Sequence, residues 1–572
     1  MSANQKLQVV LCWHMHQPEY RDPISHSYQL PWTYLHAIKD YIDMAAHLEA
    51  VPEAKAVVNF APILLEQITD YSRQINGYLE DGVAIQDMLL AALVDPVLPT
   101  SAEKRFMLMK LCLRANEQRL IHRFPAYQKL ATMAEHFGGN VCVMDYVRDQ
   151  YLVDLLVWYH LAWLGEMVRR QDKRVQALID KAADYTVHDR RVLLEVIGEL
   201  LFNVIGRYKT LAEKGQIELS VSPYAHPILP LLLDMEVARE AMPDVSLPSV
   251  TRYPGGDERV RWHVQQALTT FEKYFGFRPV GCWPSEGGIS DATLKLLNEF
   301  GFRWVASGES VLRHSQKPRD AGKTETGSDL KNNLYQPYRF SGTDVSCFFR
   351  DDRLSDQIGF VYSDWHADDA VANMIHHLEN IADAFADQPG AIASIILDGE
   401  NAWEHYPENG YYFLSALYKK LSAHPRLKLT TFSDYLRSAN TGNTLDHIVS
   451  GSWVYGTFST WIGQAEKNRG WEMLCDAKNA YDQVAKKGFP PERRLAAERQ
   501  LAICEGSDWF WWFGPDNPAN TVADFDQLYR SHLSRLYQLL HLEPPEYLAH
   551  AFSHGAGMPL HGGTMRPGQL PA

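Results

Sequence analysis

The sequence predicts an α/β protein, in which a barrel of parallel strands and helices carries a large helical insertion and a C-terminal α-helical domain. Short, continuously apolar segments alternate with helical ones, which is typical of a parallel sheet covered on both faces. Helical periodicity without strand signals fills about 63–213, and strand signals stop near 437. At 572 residues the chain is long enough for several domains.

The predicted elements follow one another regularly on either side of the insertion. The strand candidates are short apolar runs that end at Gly, Pro or polar residues. They lie at 7–13, 54–62, 216–223, 281–283, 302–308, 345–350, 358–363 and 391–399. The helix candidates outside the insertion have apolar residues at helical spacing. They lie at 228–242, 256–276, 291–301, 368–386, 411–423, 460–487, 492–514 and 522–540.

These boundaries divide the chain into three parts. The barrel is expected to occupy 1–437, including the insertion at about 63–213. The C-terminal helical domain is expected at 438–550. Residues 551–572 are rich in glycine and proline, so we expect a flexible tail there.

Composition excludes several classes of partner. The net charge of −15 argues against binding to nucleic acid or to an acidic membrane surface. The N-terminus does not resemble a signal peptide, and no segment has the roughly 20 apolar residues needed to span a bilayer. Seven cysteines, an odd number without a CxxC pair, favour reduced thiols. We therefore expect a soluble, cytoplasmic protein.

Two segments carry the strongest chemical signal. In GCWPSEGGIS and SIILDGENAWEHYP, an apolar strand leads to a carboxylate, Glu286 or Asp398, that is followed at once by glycine and flanked by Trp283 or Trp403. A pair of carboxylates beside aromatic surfaces suits cleavage of a glycosidic bond, in which one acid attacks and the other protonates the leaving oxygen. Glu400 follows closely and is expected to contact a sugar hydroxyl or to tune the pKa of Asp398.

A histidine pair follows the first strand. His14 and His16 are both compatible with zinc ligation or with hydrogen bonding to a sugar. Zinc needs a further ligand, for which His226 or an aspartate is available. We favour substrate contact for the three histidines, and no metal.

Aromatic residues beyond the barrel are the next candidates. Trp453 and Trp461 in GSWVYGTFSTWIG are expected to reach over the cleft from the helical domain. SDWFWWFG (507–514) is interpreted as helix packing. The acidic residues of 348–364, with Arg350, are interpreted mainly as an ion-pair network.

In this order, these segments resemble the conserved regions of glycoside hydrolase family 57, a family of retaining α-glucan enzymes. The resemblance covers most of the chain. HQP (16–18), 215–232, GCWPSEGGIS and SIILDGENAWEHYP resemble its first four regions, and 451–463 resembles the segment whose tryptophans line the cleft. It implies that Glu286 is the nucleophile and Asp398 the general acid/base.

The family resemblance also implies a fold and a reaction. The fold would be an incomplete seven-stranded (β/α) barrel with appended helices, and the helical domain would contribute to the substrate cleft. No cofactor or catalytic metal is implied. The wording of the motifs looks closest to the amylopullulanase-like branch, which implies α-1,4 and possibly α-1,6 bonds as targets. Double displacement predicts carboxyl groups about 5–5.5 Å apart.

Alternatives remain open at this point. A 4-α-glucanotransferase or branching enzyme would use the same site, with a sugar hydroxyl in place of water. A zinc-dependent α-mannosidase or polysaccharide deacetylase would use His14, His16 and an aspartate. A non-catalytic glucan-binding protein would keep the cleft alone. In all but the zinc-dependent alternative, the expected partner is an α-glucan.

Overall fold

A computed structural model describes residues 6–250, 252–316, 333–388, 390–438, 443–557 and 565–569. Ten strands of these residues form one sheet. In chain order they are β1 Leu7–Met15, β2 Ala56–Phe60, β3 Ile217–Val221, β4 Gly281–Cys282, β5 Trp304–Gly308, β6 Tyr338–Phe340, β7 Ser346–Arg350, β8 Ile392–Asp398, β9 Leu427–Leu429 and β10 Thr444–Leu445.

Seven parallel strands close into a barrel. Their order around it is β1, β2, β3, β4, β5, β7 and β8. β8 returns to β1 in a long parallel register, from Gln8 beside Ile392 to His14 beside Asp398. The circle is completed between β7 and β8, where Arg350 pairs with Ser394. The predicted seven-stranded (β/α) barrel is thus confirmed, and β6, β9 and β10 are additions at its margins.

Helices surround the barrel, fill the insertion and build the C-terminal domain. Outside the insertion, the helices are Trp32–His36, Ala37–Tyr41 (a π-helix), Ile42–Glu49, Leu229–Leu233, Met235–Val237, Ala238–Ala241, Gly256–Phe275, Ser285–Gly287, Asp291–Glu299, Glu309–Gln316, Asp352–Phe360, Tyr362–Asp364, Ala367–Ala384, Trp403–His405, Pro407–Gly410, Tyr411–Ser422 and Phe432–Ser438. Those of the insertion are Pro62–Asp81, Met88–Val94, Ala102–Leu111, Glu117–Ile121, Pro125–Phe137, Val141–Asp145, Asp149–Trp163, Glu166–Gln171, Lys173–Lys181 and Val187–Glu213. Those of the C-terminal part are Ala465–Lys487, Pro491–Cys504, Ser507–Trp512, Ala519–Leu539 and Glu546–Ala549.

The strand predicted at 358–363 is wrong. Helix Asp352–Phe360 occupies most of this segment, and a single 3₁₀ turn, Tyr362–Asp364, follows it. The Asp351 carboxylate accepts a hydrogen bond from the Leu354 N–H and so begins the helix. Leu354 and Ile358, one helical turn apart, are both buried. A short apolar run satisfies both periodicities, and here the capping residue decides between them.

The alternation of side chains along the strands determines which residues face the barrel interior and its open end. On β1, Val10 and Cys12 belong to the small apolar cluster that fills the barrel, and the same face continues to His14. On β8, Ile396 belongs to that cluster, and the same face continues to Asp398. The barrel interior is therefore apolar up to the carboxyl ends of its strands and polar from there on.

The predicted division at 437 and 550 stays a prediction. Residues 565–569, from the segment predicted as a flexible tail, lie against the barrel, since the Gly568 N–H donates to Asp356. Among the described residues, no helix combines the length and the apolar character needed to cross a membrane.

Candidate active site

The carboxyl ends of the barrel strands open into a cavity of about 580 Å³. Both predicted catalytic carboxylates, Glu286 and Asp398, line it. Its wall combines acidic, imidazole and aromatic side chains from the barrel, the insertion and the C-terminal helices. This mixture of a few polar groups on an apolar, aromatic lining is typical of a pocket for a small or extended ligand.

Glu286 is held by its backbone and by one tryptophan. It lies in the turn Ser285–Gly287 with φ 57°, a left-handed conformation that is uncommon for a residue with a side chain. The Trp453 Nε1–H donates to Glu286 Oε2 over 2.9 Å, and the Trp453 N–H donates to the Glu286 carbonyl. His226 Nδ1 lies 3.8 Å from the other carboxylate oxygen. Such strain at a fixed carboxylate is characteristic of functional sites.

The glycines that follow the two carboxylates are required for different structural reasons. Gly287 has φ 60°, a left-handed conformation that favours glycine. A Cβ on Gly399 would lie 2.2 Å from the sulfur of Met15, so only glycine lets β8 turn away beside β1. Both glycines therefore serve to present the carboxylate before them.

Three histidine rings form a stack beside the carboxylates. His16 and His226 have ring centroids 3.9 Å apart, and His14 lies 5.0 Å from His226. His14 bonds Asn59 Oδ1 through Nδ1, and its Nε2 lies 3.1 Å from Nε2 of His226. Burial lowers the pKa of His14 to about 3 and that of His226 well below its usual value. These shifts favour the neutral form of both rings, whose nitrogens lie within hydrogen-bond distance of each other, of Asn59 and of Ser507.

Helix Ser507–Trp512, from the C-terminal part, completes this stack. Ser507 Oγ lies 2.9 Å from Nδ1 of His226. Asp508 lies 2.9 Å from Nε2 of His16 and lines the cavity. The sequence interpretation of 507–514 as helix packing missed this aspartate. The available signal was an acid, Asp508, at the start of an otherwise aromatic helix.

The carboxylates are electrostatically coupled. Burial and then the nearby charge of Asp398 raise the pKa of Glu286 to about 8, although the hydrogen bond from Trp453 opposes the shift. Burial also raises the pKa of Asp398, against the hydrogen bond from Asn401 and the charges of His16 and Arg350. Groups coupled in this way titrate as a pair rather than independently.

Glu400 lies just beyond the pair. Burial and the charge of Asp398 raise its pKa well above the usual value, which favours the neutral carboxyl. One oxygen accepts a hydrogen bond from Gln17, and the other is buried and has no hydrogen-bond partner among the residues that the structure describes. A neutral carboxyl with a free polar atom on the cavity wall is suited to a sugar hydroxyl.

A prediction for stability follows from the pKa of Glu286. Because the folded-state value, about 8, exceeds the ordinary 4.5, the stability that this group contributes is complete below pH 4.5 and is lost as the pH rises toward 8. Glu286→Gln, which cannot ionise, should therefore be more stable than wild type at pH 8.5, on the order of 2–4 kcal/mol, and nearly equal at pH 4.5. Thermal midpoints at the two pH values test this.

The matched control is Glu53→Gln, at an exposed position. We expect its midpoint to differ little from wild type at either pH. A Glu286→Gln midpoint that tracks the wild-type value across the whole range would contradict the raised pKa.

The predicted site residues fall into two groups. Those that line the cavity are His14, His16, Glu286, Asp398, Glu400 and Trp453. Those that do not line it are His226, Trp283, Trp403 and Trp461. The three tryptophans of the second group are at most 1% exposed, so none can stack on a sugar in this structure.

The buried tryptophans support the site from behind. Trp283 packs edge-on against Trp453, which holds Glu286. Trp403 packs against Trp13. A tryptophan that lies near a carboxylate in the sequence can therefore pack in the core beneath the site instead of stacking on a ligand.

Besides Trp453, the cavity has aromatic surfaces that the sequence did not predict. Trp511 and Trp512 are half-buried and line it, and sequence reasoning missed both. Arg350 also lines it and pairs with Asp352 and Asp356, which confirms the predicted ion-pair network.

One cluster has the composition of a metal site. His16, His226 and Asp508 offer ligand atoms within 4.8 Å of one another. Their present hydrogen bonds, from His16 to Asp508 and from His226 to Ser507 and His14, would have to be replaced by a metal.

Comparison with known proteins gives one family. A family model described as glycosyl hydrolase family 57 matches residues 10–447. The 1,4-alpha-glucan branching enzyme TK1436 of Thermococcus kodakarensis is 22% identical over 251 residues, which are 41% of this chain and 34% of that enzyme. The match thus spans about a third of the length of this relative.

Solved structures share the fold. The crystal structure of TK1436 in complex with glucose and additives has a TM-score of 0.58 at 16% identity, covering 93% of this chain and 90% of that one. The alpha-amylase AmyC from Thermotoga maritima has a TM-score of 0.56 at 14% identity, covering 94% of this chain and 93% of that one. At these identities the likeness concerns the fold alone.

Proposed function

Because the chain belongs to glycosyl hydrolase family 57, we propose that it cleaves α-glucans with retention of configuration, using Glu286 as nucleophile and Asp398 as general acid/base. The observation that carries the proposal is the pair itself. Two carboxylates, raised in pKa and electrostatically coupled, lie at the carboxyl ends of barrel strands in one aromatic-lined cavity. Pairs of this kind perform double displacement at an anomeric carbon.

In the first step, ionised Glu286 attacks the anomeric carbon and forms an ester bond. The glycosidic C–O bond breaks, and its oxygen takes the proton from Asp398. The hydrogen bond from Trp453 fixes the attacking carboxylate, because it holds one oxygen and leaves the other free. His14, His16 and Glu400, which line the cavity, are placed to contact the sugar hydroxyls.

In the second step, Asp398 acts as base. It takes a proton from water or from a sugar hydroxyl, whose oxygen attacks the anomeric carbon while the bond to Glu286 breaks. The two inversions restore the starting configuration and return the proton to Asp398. Burial raises the pKa of Asp398, which favours keeping the proton that the leaving oxygen needs.

For the acceptor, we propose water as the main one, with α-1,4 and possibly α-1,6 bonds as targets. The amylopullulanase-like wording of WPSE and LDGENAWEHYP supports hydrolysis. The second candidate is transfer to a sugar hydroxyl, as in a branching enzyme or 4-α-glucanotransferase. It is favoured by the similarity to TK1436, whose description is a 1,4-alpha-glucan branching enzyme.

Product analysis distinguishes these outcomes. The purified protein is incubated with maltoheptaose and, separately, with pullulan, and products are resolved by chromatography while proton NMR follows the anomeric signals. We expect shorter maltooligosaccharides released first as the α-anomer. Longer sugars from maltoheptaose would identify a transferase, and cleavage of pullulan would add α-1,6 bonds.

Two results would contradict the proposal. Initial release of the β-anomer would mean an inverting mechanism and would exclude an ester on Glu286. Absence of any change in either glucan, with loss of another activity on chelation, would favour the zinc-dependent alternative.

A further inference from the structure

Residues 565–569 lie on the wall of the active-site cavity. Met565 is buried and lines the cavity, as does Leu397 near the carboxyl end of β8. Arg566 is half-buried and lines the same cavity. A segment near the chain's last residues thus meets the strand that ends in Asp398.

Two hydrogen bonds and one close approach fix this segment. The Gly568 N–H donates to Asp356 Oδ2 over 3.0 Å, and the Gly568 carbonyl accepts from the Tyr455 N–H over 2.9 Å. A Cβ on Gly568 would lie 2.5 Å from Cγ of Asp352 and 2.6 Å from Nη1 of Arg350. Only glycine therefore fits against this ion-pair network.

Arg566 is directed at an aromatic surface. Its guanidinium lies 5.1 Å from the ring centroid of Trp511, within range of a cation–π interaction. One amino group, Nη2, donates to Asn517 Oδ1 over 3.1 Å. The guanidinium has five N–H donors, and the hydrogen bond to Asn517 uses one of them; within the part of the chain that the structure describes, the others are available to a ligand or to water.

Arg566 is not part of the chemical step. Among the hydrogen bonds of the described residues, none joins it to Glu286 or Asp398. The guanidinium of Arg566 and the half-buried indole of Trp511 are suited to bind a sugar. The hydroxyl groups of the sugar accept hydrogen bonds from the guanidinium, and the apolar face of the sugar ring packs on the indole.

We propose that Arg566 and Trp511 form a binding position for a glucosyl unit away from the bond that is cleaved, and that residues 565–569 hold Arg566 there. This inference rests on the proposed function, since it names a part of the α-glucan that the same cavity binds. It makes Arg566 a specificity-determining residue: a long glucan reaches it and a short one does not.

The test compares maltoheptaose with maltotriose. Arg566→Ala should raise KM for maltoheptaose by about tenfold, the value of one charge-assisted hydrogen bond, and should change kcat less. The change for maltotriose should be smaller than for maltoheptaose. Binding without turnover gives a second readout: in a Glu286→Gln background, tryptophan fluorescence titrated with maltoheptaose should show the same loss of affinity.

A variant at a residue that does not itself line the cavity tests the role of the segment. Gly568→Ala places a methyl group against Asp352 and Arg350, so it should displace residues 565–569 and reproduce the effect of Arg566→Ala. Gly139→Ala is the matched control, because its Cβ would meet nothing within 4 Å, and we expect wild-type kinetics.

The outcomes separate the two proposals. If wild type cleaves glucans while Arg566→Ala keeps the wild-type KM and affinity for maltoheptaose, the inference is overturned and the proposed function stands. If wild type acts on neither glucan, the proposed function fails. If Gly568→Ala does not fold, as judged by its thermal midpoint, Arg566→Ala alone decides.

Discussion

Glu286→Ala should abolish glucan cleavage, lowering kcat by about 10⁴-fold or more, the scale of losing a covalent nucleophile. Without the carboxylate no ester can form, although Asp398 can still protonate the leaving oxygen. The truncated side chain also leaves space next to Trp453 Nε1, which no longer has an acceptor. A small anion can enter this space and replace the missing group.

Azide makes this prediction specific. With maltosyl fluoride as substrate, azide at the position of Glu286 should attack the anomeric carbon and displace fluoride in one step. The product is then β-maltosyl azide, inverted relative to the α-fluoride. Glu404→Ala is the matched control, because Glu404 lines the same cavity and has no proposed chemical role. Glucan cleavage undiminished in Glu286→Ala would remove Glu286 from the mechanism.

Asp398→Asn should give a different and complementary defect. Turnover of maltoheptaose should fall by about 10²–10⁴-fold, the usual range for losing a general acid/base. With maltosyl fluoride the first step needs no proton, so the ester on Glu286 should form at nearly the wild-type rate. The second step lacks its base, so the intermediate should accumulate. Mass spectrometry should show the protein heavier by one maltosyl group, with the label on the peptide that contains Glu286.

Azide distinguishes this variant as well. It needs no deprotonation, so it should attack the accumulated ester and release α-maltosyl azide, the retained product. Asp524→Asn is the control, since Asp524 also lines the cavity but forms a partly exposed ion pair with Arg114. Loss of both fluoride and glucan turnover in Asp398→Asn, without a labelled peptide, would contradict the assignment of Asp398.

The fold could be predicted from the sequence because its signals are local. The apolar run 391–399 is a strand by composition, and Asp398 at its end is set by alternation along that strand. Helical periodicity over 63–213 needs no tertiary information either. The prediction failed at 358–363, where a short apolar run fits both periods and the capping of the helix by Asp351 is decisive.

The candidate site could be predicted only in part. Each carboxylate follows an apolar strand and precedes a glycine, and this local pattern was enough to select Glu286 and Asp398 from the sequence. The direction of a neighbouring tryptophan could not. Trp403 lies five residues after Asp398, yet it packs on Trp13 in the core, because the turn after β8 rotates it away from the cavity.

The sequence by itself determined the barrel strands, the helical insertion and the two carboxylates, since each depends on residues within one element. Tertiary structure alone decided which distant groups join them. Asp508 reaches His16 across 492 residues of sequence, and Arg566 reaches the cavity from near the other end of the chain. No local periodicity records such contacts, because they arise only when the barrel closes and the C-terminal helices pack over its strand ends.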